Sequence, residues 1–491
     1  MNDLKTAHEL QARGQFKASE SIYREALKVN PQNGEAYWGL GNIAMSVSYY
    51  EAAVEMYHKA VRFLPKSPIL FLNLANAYNE LRRFDKAGQF YKKAAEVSPK
   101  HAPALYLYGN YQSSMGKNKQ AEHLYRMTLE LDPYFYHAYL ALVRQKNFKT
   151  INDPDIGVLK KELAKSELSI NDQMTLYYSL GKAFYDLNES ALAMQHLTKA
   201  NELQRSLINF SVTDSIPFYQ SIKEVFTEKQ LQVYSDTQNH KVTPIFIVGQ
   251  ARSGSTLLEA MLGSHTAIYA TGELPYIGRE IAAKVEKMTG QQFPQACQLL
   301  TREQLGELGN YYIEMATAQM PQGSYFIDKQ LSNFQSIGFI KSILPDAIII
   351  NIRRHPMDVG FSIFRNYFEL NEPNFCSLNE ISQYYLIYED LMSYWHSLMP
   401  EAILDVHYES LVKEPELILT EVLSFCGLDW QSRCIDFHTN TQHVQTLSKV
   451  DIKQPVHQKS ISSWIPYQDY LSDLSNTLAN SINNYETAIY K

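Results

Sequence analysis

Residues 244–256 read PIFIVGQARSGST. An unbroken apolar run over 244–248 enters a loop with glycines at 249 and 254, and LLEAMLGSH follows with helical character. An apolar run of that length next to turn signals predicts a buried strand. Gly249, Gly254 and Thr256 give the spacing G-x-x-x-x-G-x-T of a phosphate-binding loop. Its glycines permit turns in which successive N–H groups point inward, and a helix starting near Ser255 offers its positive end to an anion. Ser255 stands where nucleotide triphosphatases place lysine, and Arg252 sits inside the loop instead. Ser253, Gly254, Ser255 and Thr256 are therefore expected to hold the phosphates of a nucleotide that is not hydrolysed. A glycine turn at a strand–helix corner is the plainer alternative.

From residue 243 onward short strands alternate with helices. SYFID (324–328), DAIIINIRR (from 346) and ILDVHYESL (from 403) read as further strands. NFQSIGFIKSIL and ISQYYLIYEDLMSYWHSLM read as helices between them. This alternation predicts an α/β P-loop domain with a mostly parallel sheet, whose ligands gather at the carboxyl ends of the strands. Lys329 and Arg354 follow two such ends, so three distant segments can meet at one site. The AIIIN strand reaches Asn351 where a P-loop kinase or hydrolase would carry a Walker-B aspartate, which together with Ser255 disfavours that class.

The first half is a repeat array. Pro31, Pro65, Pro99 and Pro133 recur every 34 residues. Before Pro65 come Gly41, Ala53, Tyr57 and Ala60; before Pro99, at the same offsets, Ala75, Ala87, Tyr91 and Ala94; before Pro133, Gly109, Ala121, Tyr125 and Thr128. Small residues let paired helices approach, and each tyrosine fills the space between neighbours. The period and the small residues resemble tetratricopeptide repeats. The register blurs after Pro133, and a further unit returns with Tyr177, Leu180, Gly181, Ala193, Leu197 and Ala200. The expected organisation is an all-α solenoid over residues 1–205, a helical junction over 206–240 and the α/β domain over 241–491. Such a solenoid presents a curved surface for a peptide or protein. It could equally brace the second domain or form a dimer contact, and a homodimer is plausible.

The chain has 491 residues, 45% of them hydrophobic, and a net charge of −7. That length exceeds a single core, and the acidic balance disfavours general nucleic-acid binding. Cys297, Cys376, Cys426 and Cys434 form no C-x-x-C pair, so neither a zinc site nor a disulfide scaffold is expected. The opening MNDLKTAHELQARGQF has no apolar signal core, and no apolar run is long enough to span a membrane. A cytoplasmic location is expected.

Four groups of residues could carry chemistry beside the loop's own arginine. Arg354 and Ser362 straddle a strand–helix junction in RRHPMDVGFS, where they could clasp one phosphate from two sides or form a solvated corner. Lys329, after Asp328, could neutralise charge on a transferring group or be a surface lysine. Glu273, in TGELP, could accept a proton from a hydroxyl. His265 competes for that role, although its position after the first helix suits a cap or packing residue better.

Together these segments resemble the sulfotransferase family over about residues 242–475. QARSGST looks like the family's 5′-phosphosulfate loop, and RRHPMDVGFS looks like its 3′-phosphate motif. FIDKQLSNFQSIGFIKSILPDAIII, ILDVHYESLVKEPE and TLSKVDIKQPVHQKSISSW resemble its later segments. The resemblance is strongest to bacterial chains that join tetratricopeptide repeats to a domain related to protein-tyrosine sulfotransferases. It implies transfer of a sulfuryl group from 3′-phosphoadenosine 5′-phosphosulfate to an acceptor hydroxyl, leaving 3′-phosphoadenosine 5′-phosphate, without a metal. Glu273 is then the base, Arg252 the loop arginine, Lys329 the catalytic lysine and Ser448 the transition-state serine; Arg354 and Ser362 hold the 3′-phosphate. Two departures bear on the acceptor: Pro275 stands where the tyrosine enzymes carry arginine, with Arg279 nearby, and the lid reads Lys453-Gln454-Pro455. A polypeptide tyrosine, a carbohydrate, a lipid or a small molecule all remain acceptors, and a non-catalytic repeat scaffold is the competing class.

Overall fold

The computed structural model describes residues 2–233, 241–318, 320, 324–368, 376–439 and 454–489. Its contacts divide the chain into two compact units, Met1–Asn147 and Phe148–Lys491.

The first unit is a solenoid of antiparallel helical pairs: Asn2–Ala12 with Phe16–Val29, Gly34–Ser46 with Tyr50–Phe63, Pro68–Glu80 with Phe84–Val97, and Ala102–Ser114 with Asn118–Leu131, closed by Tyr136–Gln145. Polar side chains open the first helix of the second, third and fourth pairs: Asn33 accepts from the Ala36 N–H, Ser67 from that of Leu70 just ahead of Pro68, and His101 from that of Ala104. The repeat tyrosines fill the gaps as the spacing predicts. Tyr57, Tyr91 and Tyr125 are buried, and a Cβ at Gly41 would lie 2.4 Å from the Tyr57 ring. A buried phenol still needs a partner. Each finds one at the same offset, donating to Asn42 (2.8 Å), Asn76 (2.6 Å) and Asn110 (2.8 Å). The 34-residue period therefore carries a polar ladder as well as an apolar one.

The second unit holds the sheet. Its first helical pair, α1 (Ile170–Asp186) and α2 (Ser190–Ser206), has the repeat form, yet it belongs with this unit. The contacts thus part the chain at Asn147, ahead of the boundary expected near residue 205. Specific contacts join it there: Asn201 and Gln204 donate to the carbonyls of Phe364 and Phe368, Arg205 pairs with Glu380 at 2.7 Å, and Tyr185 packs on Phe361 and Tyr467. The helix Ile216–Val225 follows, and its Tyr219, Ile222 and Val225 enter the core beside the sheet.

Five strands, β1 (Thr243–Gly249), β2 (Ile268–Ala270), β3 (Tyr325–Asp328), β4 (Ile348–Arg353) and β5 (Ile403–His407), form one sheet in the order β2-β3-β1-β4-β5. All four pairings are parallel. Four strands lie where the sequence places them; β2, three residues long, is additional. Side chains alternate between two apolar layers: Phe246, Val248, Phe326 and Ile349 enter one, Ile245, Ile247, Ile327 and Ile350 the other. Burial on both faces explains the continuous apolar runs. The chain leaves β1 toward β2 and later crosses to β4 on the other side. The carboxyl end of β1 is thus a topological switch point, where ligands bind in open parallel sheets. Among the described residues no helix is long and apolar enough to cross a membrane.

The Tyr–Asn ladder yields a stability prediction. Tyr91→Phe removes the hydrogen bond to the half-buried Asn76 amide oxygen and should cost about 1 kcal/mol in urea unfolding of the solenoid transition. An exposed control, Tyr49→Phe, should cost nothing measurable.

Candidate active site

The loop after β1 is held in backbone conformations that suit glycine. Gly254 has φ +98°, and Arg252 shares the left-handed region at +69°. A Cβ at Gly254 would stand 2.3 Å from the Tyr408 ring, and one at Gly249 2.5 Å from the Ile352 carbonyl oxygen. Both glycines are therefore required by close approach as well as by φ. Helix α3 (Ser255–Leu262) starts directly after the loop, with no side chain capping its first N–H groups. Ser253 and Gln250 are buried, yet the Ser253 hydroxyl and the Gln250 amide nitrogen have no hydrogen-bond partner among the described residues. Polar atoms in that condition beside an uncapped helix start are suited to an anion.

The second motif reaches the loop directly. Helix α4 (Pro356–Phe364) follows β4 and carries Ser362, while Arg354 lies between strand and helix. Arg354 donates to the Arg252 carbonyl at 2.9 Å and to the Ser460 carbonyl, and stacks over the Tyr408 ring at 4.9 Å. Its Nε remains without a partner although the residue is only 6% exposed. Arg252 in turn donates through Nε to the Ser362 hydroxyl at 3.1 Å. Loop and helix are thereby stitched together through both the backbone and the side chain of Arg252. Around them opens a cleft whose walls include Arg252, Thr256, Arg354, Arg365, Tyr408 and Val456. Its lining combines three arginines, Arg252, Arg354 and Arg365, with the apolar or aromatic Leu257, Tyr408, Phe437 and Val456.

Lys329 and Glu273 form a second group. Lys329 Nζ donates to Glu273 Oε1 at 2.5 Å; the lysine side chain is 1% exposed and that of the glutamate 50%. The Lys329 N–H also donates to the Gly272 carbonyl at 2.8 Å, and Asp328 accepts from the Leu274 N–H at 3.3 Å. Asp328 is buried and accepts further from Tyr312 (2.7 Å) and Asn333. Burial and this carboxylate push the Tyr312 hydroxyl well above its ordinary pKa, which keeps it a donor. The end of β3 therefore fixes both the lysine and the segment that carries the glutamate. Glu259 on α3 stands 4.0 Å from the lysine, linking this group to the phosphate-loop helix.

Most of the expected residues thus fall into two adjoining sets. Arg252, Gly254, Thr256 and Arg354 line the cleft, Ser362 contacts it through Arg252, and Ser253 and Ser255 are buried on either side of Gly254. Lys329 and Glu273 pair with each other and are not among the cleft's lining residues; Glu259 of α3 links them to the loop helix. Ser448 and Lys453 lie outside the described residues. His265 is engaged elsewhere, with its Nε2 3.1 Å from the Asp429 carbonyl and its Nδ1 accepting from the Ala267 N–H. That is the capping and packing role rather than that of a base. Arg279 pairs with its neighbour Glu280 at 2.6 Å. Sequence reasoning missed Arg365, Tyr408 and Glu259. Arg365 follows Ser362 by less than one helical turn, and this was the available signal.

Residues 244–432 match the family model described as the sulfotransferase family, and residues 4–68, 66–133 and 175–207 match tetratricopeptide-repeat models. The chain thus joins a tetratricopeptide-repeat region to a region similar to sulfotransferases. An uncharacterized protein of Aquifex aeolicus (strain VF5) is 26% identical over 357 residues, covering 71% of this chain and 47% of that one. The chain spans about half the length of that relative. Protein-tyrosine sulfotransferase A of Caenorhabditis elegans is 22% identical over 54% of this chain and 70% of its own. Among solved structures, the sulfotransferase domain of the Synechococcus PCC 7002 olefin synthase aligns over 47% of this chain and 90% of its own, at 22% identity and a TM-score of 0.36.

The loop geometry makes a direct prediction. Gly254→Ala forces a Cβ into Tyr408 at a left-handed position, so anion binding in the cleft should weaken at least about tenfold. Far-ultraviolet circular dichroism should stay unchanged, because the solenoid helices do not depend on this turn.

Proposed function

We propose that this chain is a sulfotransferase that moves a sulfuryl group from 3′-phosphoadenosine 5′-phosphosulfate to an acceptor hydroxyl. The observation that carries the reading is the pairing of Arg252 with Ser362 and of Arg354 with the Arg252 carbonyl, which joins a 5′-phosphate loop to a 3′-phosphate motif across one cleft. The sulfotransferase-family match over residues 244–432 supports it.

The residues present fit the donor. Orphaned polar atoms on Ser253, Gln250 and Arg354 point to an anionic occupant, and Gly249 and Gly254 leave room that a Cβ would take. Ser253, Gly254, Ser255 and Thr256 would hold the 5′-phosphosulfate at the start of α3, and Arg354 with Ser362 the 3′-phosphate. Bound there, the donor supplies an electrophilic sulfuryl group attached to a phosphate leaving group. Glu273, half exposed, accepts the proton of the acceptor hydroxyl as the new oxygen–sulfur bond forms. Lys329 and Arg252 stabilise the charge that gathers on the departing phosphate oxygen as the old bond breaks, with Ser448 assigned to the same task. No step calls for a metal, and among the described residues no cluster could hold one.

The acceptor class follows less directly. Relatives named protein-tyrosine sulfotransferases favour a tyrosine in a polypeptide, and the repeat region offers a surface to dock it. Pro275 in place of an arginine favours a peptide that is less acidic, or another hydroxyl.

Titration calorimetry tests the donor. 3′-Phosphoadenosine 5′-phosphate should bind with a micromolar Kd without metal, and ATP with magnesium should not bind; the opposite preference would remove the reading. Arg354→Ala should weaken that product at least about tenfold by loss of a charge-assisted pair. Glu273→Gln should lower turnover about 10²-fold or more while leaving donor affinity within twofold. Equal losses in both would sink the base assignment.

A further inference from the structure

We infer that Tyr185, on the last repeat-like helical pair, is a positioning residue for the donor site, acting by holding the Arg365 guanidinium against the wall of the cleft. The inference rests on the donor reading above and extends it to a helix outside the sulfotransferase-like region.

Arg365 caps the C-terminus of α4, the helix that carries Ser362, and it lines the cleft. Its guanidinium lies over the Tyr185 ring at 4.3 Å. The carboxylate nearest in sequence to that ring, Asp186, is taken by Lys182 at 2.5 Å and by the Phe148 N–H at 3.1 Å. The buried Nε of Arg365 has no hydrogen-bond partner among the described residues. A ring face orients an arginine while leaving its charge and its N–H fork available to an anion, whereas a carboxylate would consume both.

The ring is itself fixed. It stacks on Tyr467 at 5.7 Å and meets Phe361 of α4 at 6.1 Å. The helices behind it are tied to the same end of α4. Asn201 and Gln204, each 1% exposed, accept from the Tyr178 hydroxyl and donate to the Phe364 and Phe368 carbonyls at 2.8 and 2.7 Å. Pair and α4 terminus thus form one hydrogen-bonded body. An arginine loses considerable rotamer freedom when it binds, and a wall that holds it beforehand lowers that cost.

A double-mutant cycle on the full chain tests this, read as the Kd of 3′-phosphoadenosine 5′-phosphate. Tyr185→Leu should weaken binding about tenfold, and Tyr185→Phe, which keeps the ring face, should stay within about twofold. Arg365→Met should lose at least as much as Tyr185→Leu. Adding Tyr185→Leu to Arg365→Met should cost less than about twofold more, because the tyrosine acts through the arginine. Full additivity, or an unchanged Tyr185→Leu, overturns the inference while leaving the donor reading intact. Failure of the unmodified chain to bind removes both. If the leucine variant does not fold, Tyr185→Met closes the same cycle.

Discussion

Arg354 is a charged group with almost no access to water, and four segments of the chain meet on it. A buried guanidinium is costly unless its hydrogen bonds and charge are answered. The phosphate loop answers with the Arg252 carbonyl, the C-terminal segment with the Ser460 carbonyl, and the segment after β5 with the Tyr408 ring. Asp358, one turn along α4, lies 3.7 Å away and is itself held by the Ser462 N–H (2.7 Å) and the Ser463 hydroxyl (2.8 Å). The loop, the helix and the C-terminal segment are therefore not independent. Each supplies a partner that the arginine cannot lose cheaply, and the cleft is the space left between them.

That dependence explains what the sequence could and could not announce. The strand–loop–helix around Gly254 was legible because each part has a local cause: an apolar run, a glycine that must adopt positive φ, a helix start. The 34-residue spacing of Tyr57, Tyr91 and Tyr125 was legible because repetition multiplies a weak signal. β2 was not, since three residues with only Ile268 fully buried leave no pattern to find. Tyr408 and Glu259 were hidden for another reason. Their partners, Arg354 and Lys329, are more than fifty residues away in the chain, and only the parallel register of β1, β3, β4 and β5 brings them together. The α1–α2 pair kept its repeat signature, but nothing local revealed that Asn201 and Gln204 spend their amides on the end of α4 and the segment after it instead of on a neighbouring repeat.

The lysine beside the cleft raises a separate question of charge balance. Lys329 is as inaccessible as Arg354, and its closest partner, Glu273, is the group assigned to take up a proton. Under the proposed reaction, a neutralised Glu273 would leave the ammonium without its nearest counter-charge while Lys329 is assigned to the leaving oxygen. Burying a lone charge in that way costs several kcal/mol. Glu259 resolves the difficulty. It is 9% exposed, sits on the phosphate-loop helix and approaches the lysine to 4.0 Å without competing for the 2.5 Å contact that Glu273 makes. Under the proposed reaction, this second carboxylate still stands beside the ammonium when Glu273 is engaged by an acceptor. Under the proposed roles, the carboxylate open to an acceptor is the 50% exposed Glu273, and Glu259 lies beside the lysine on a different element.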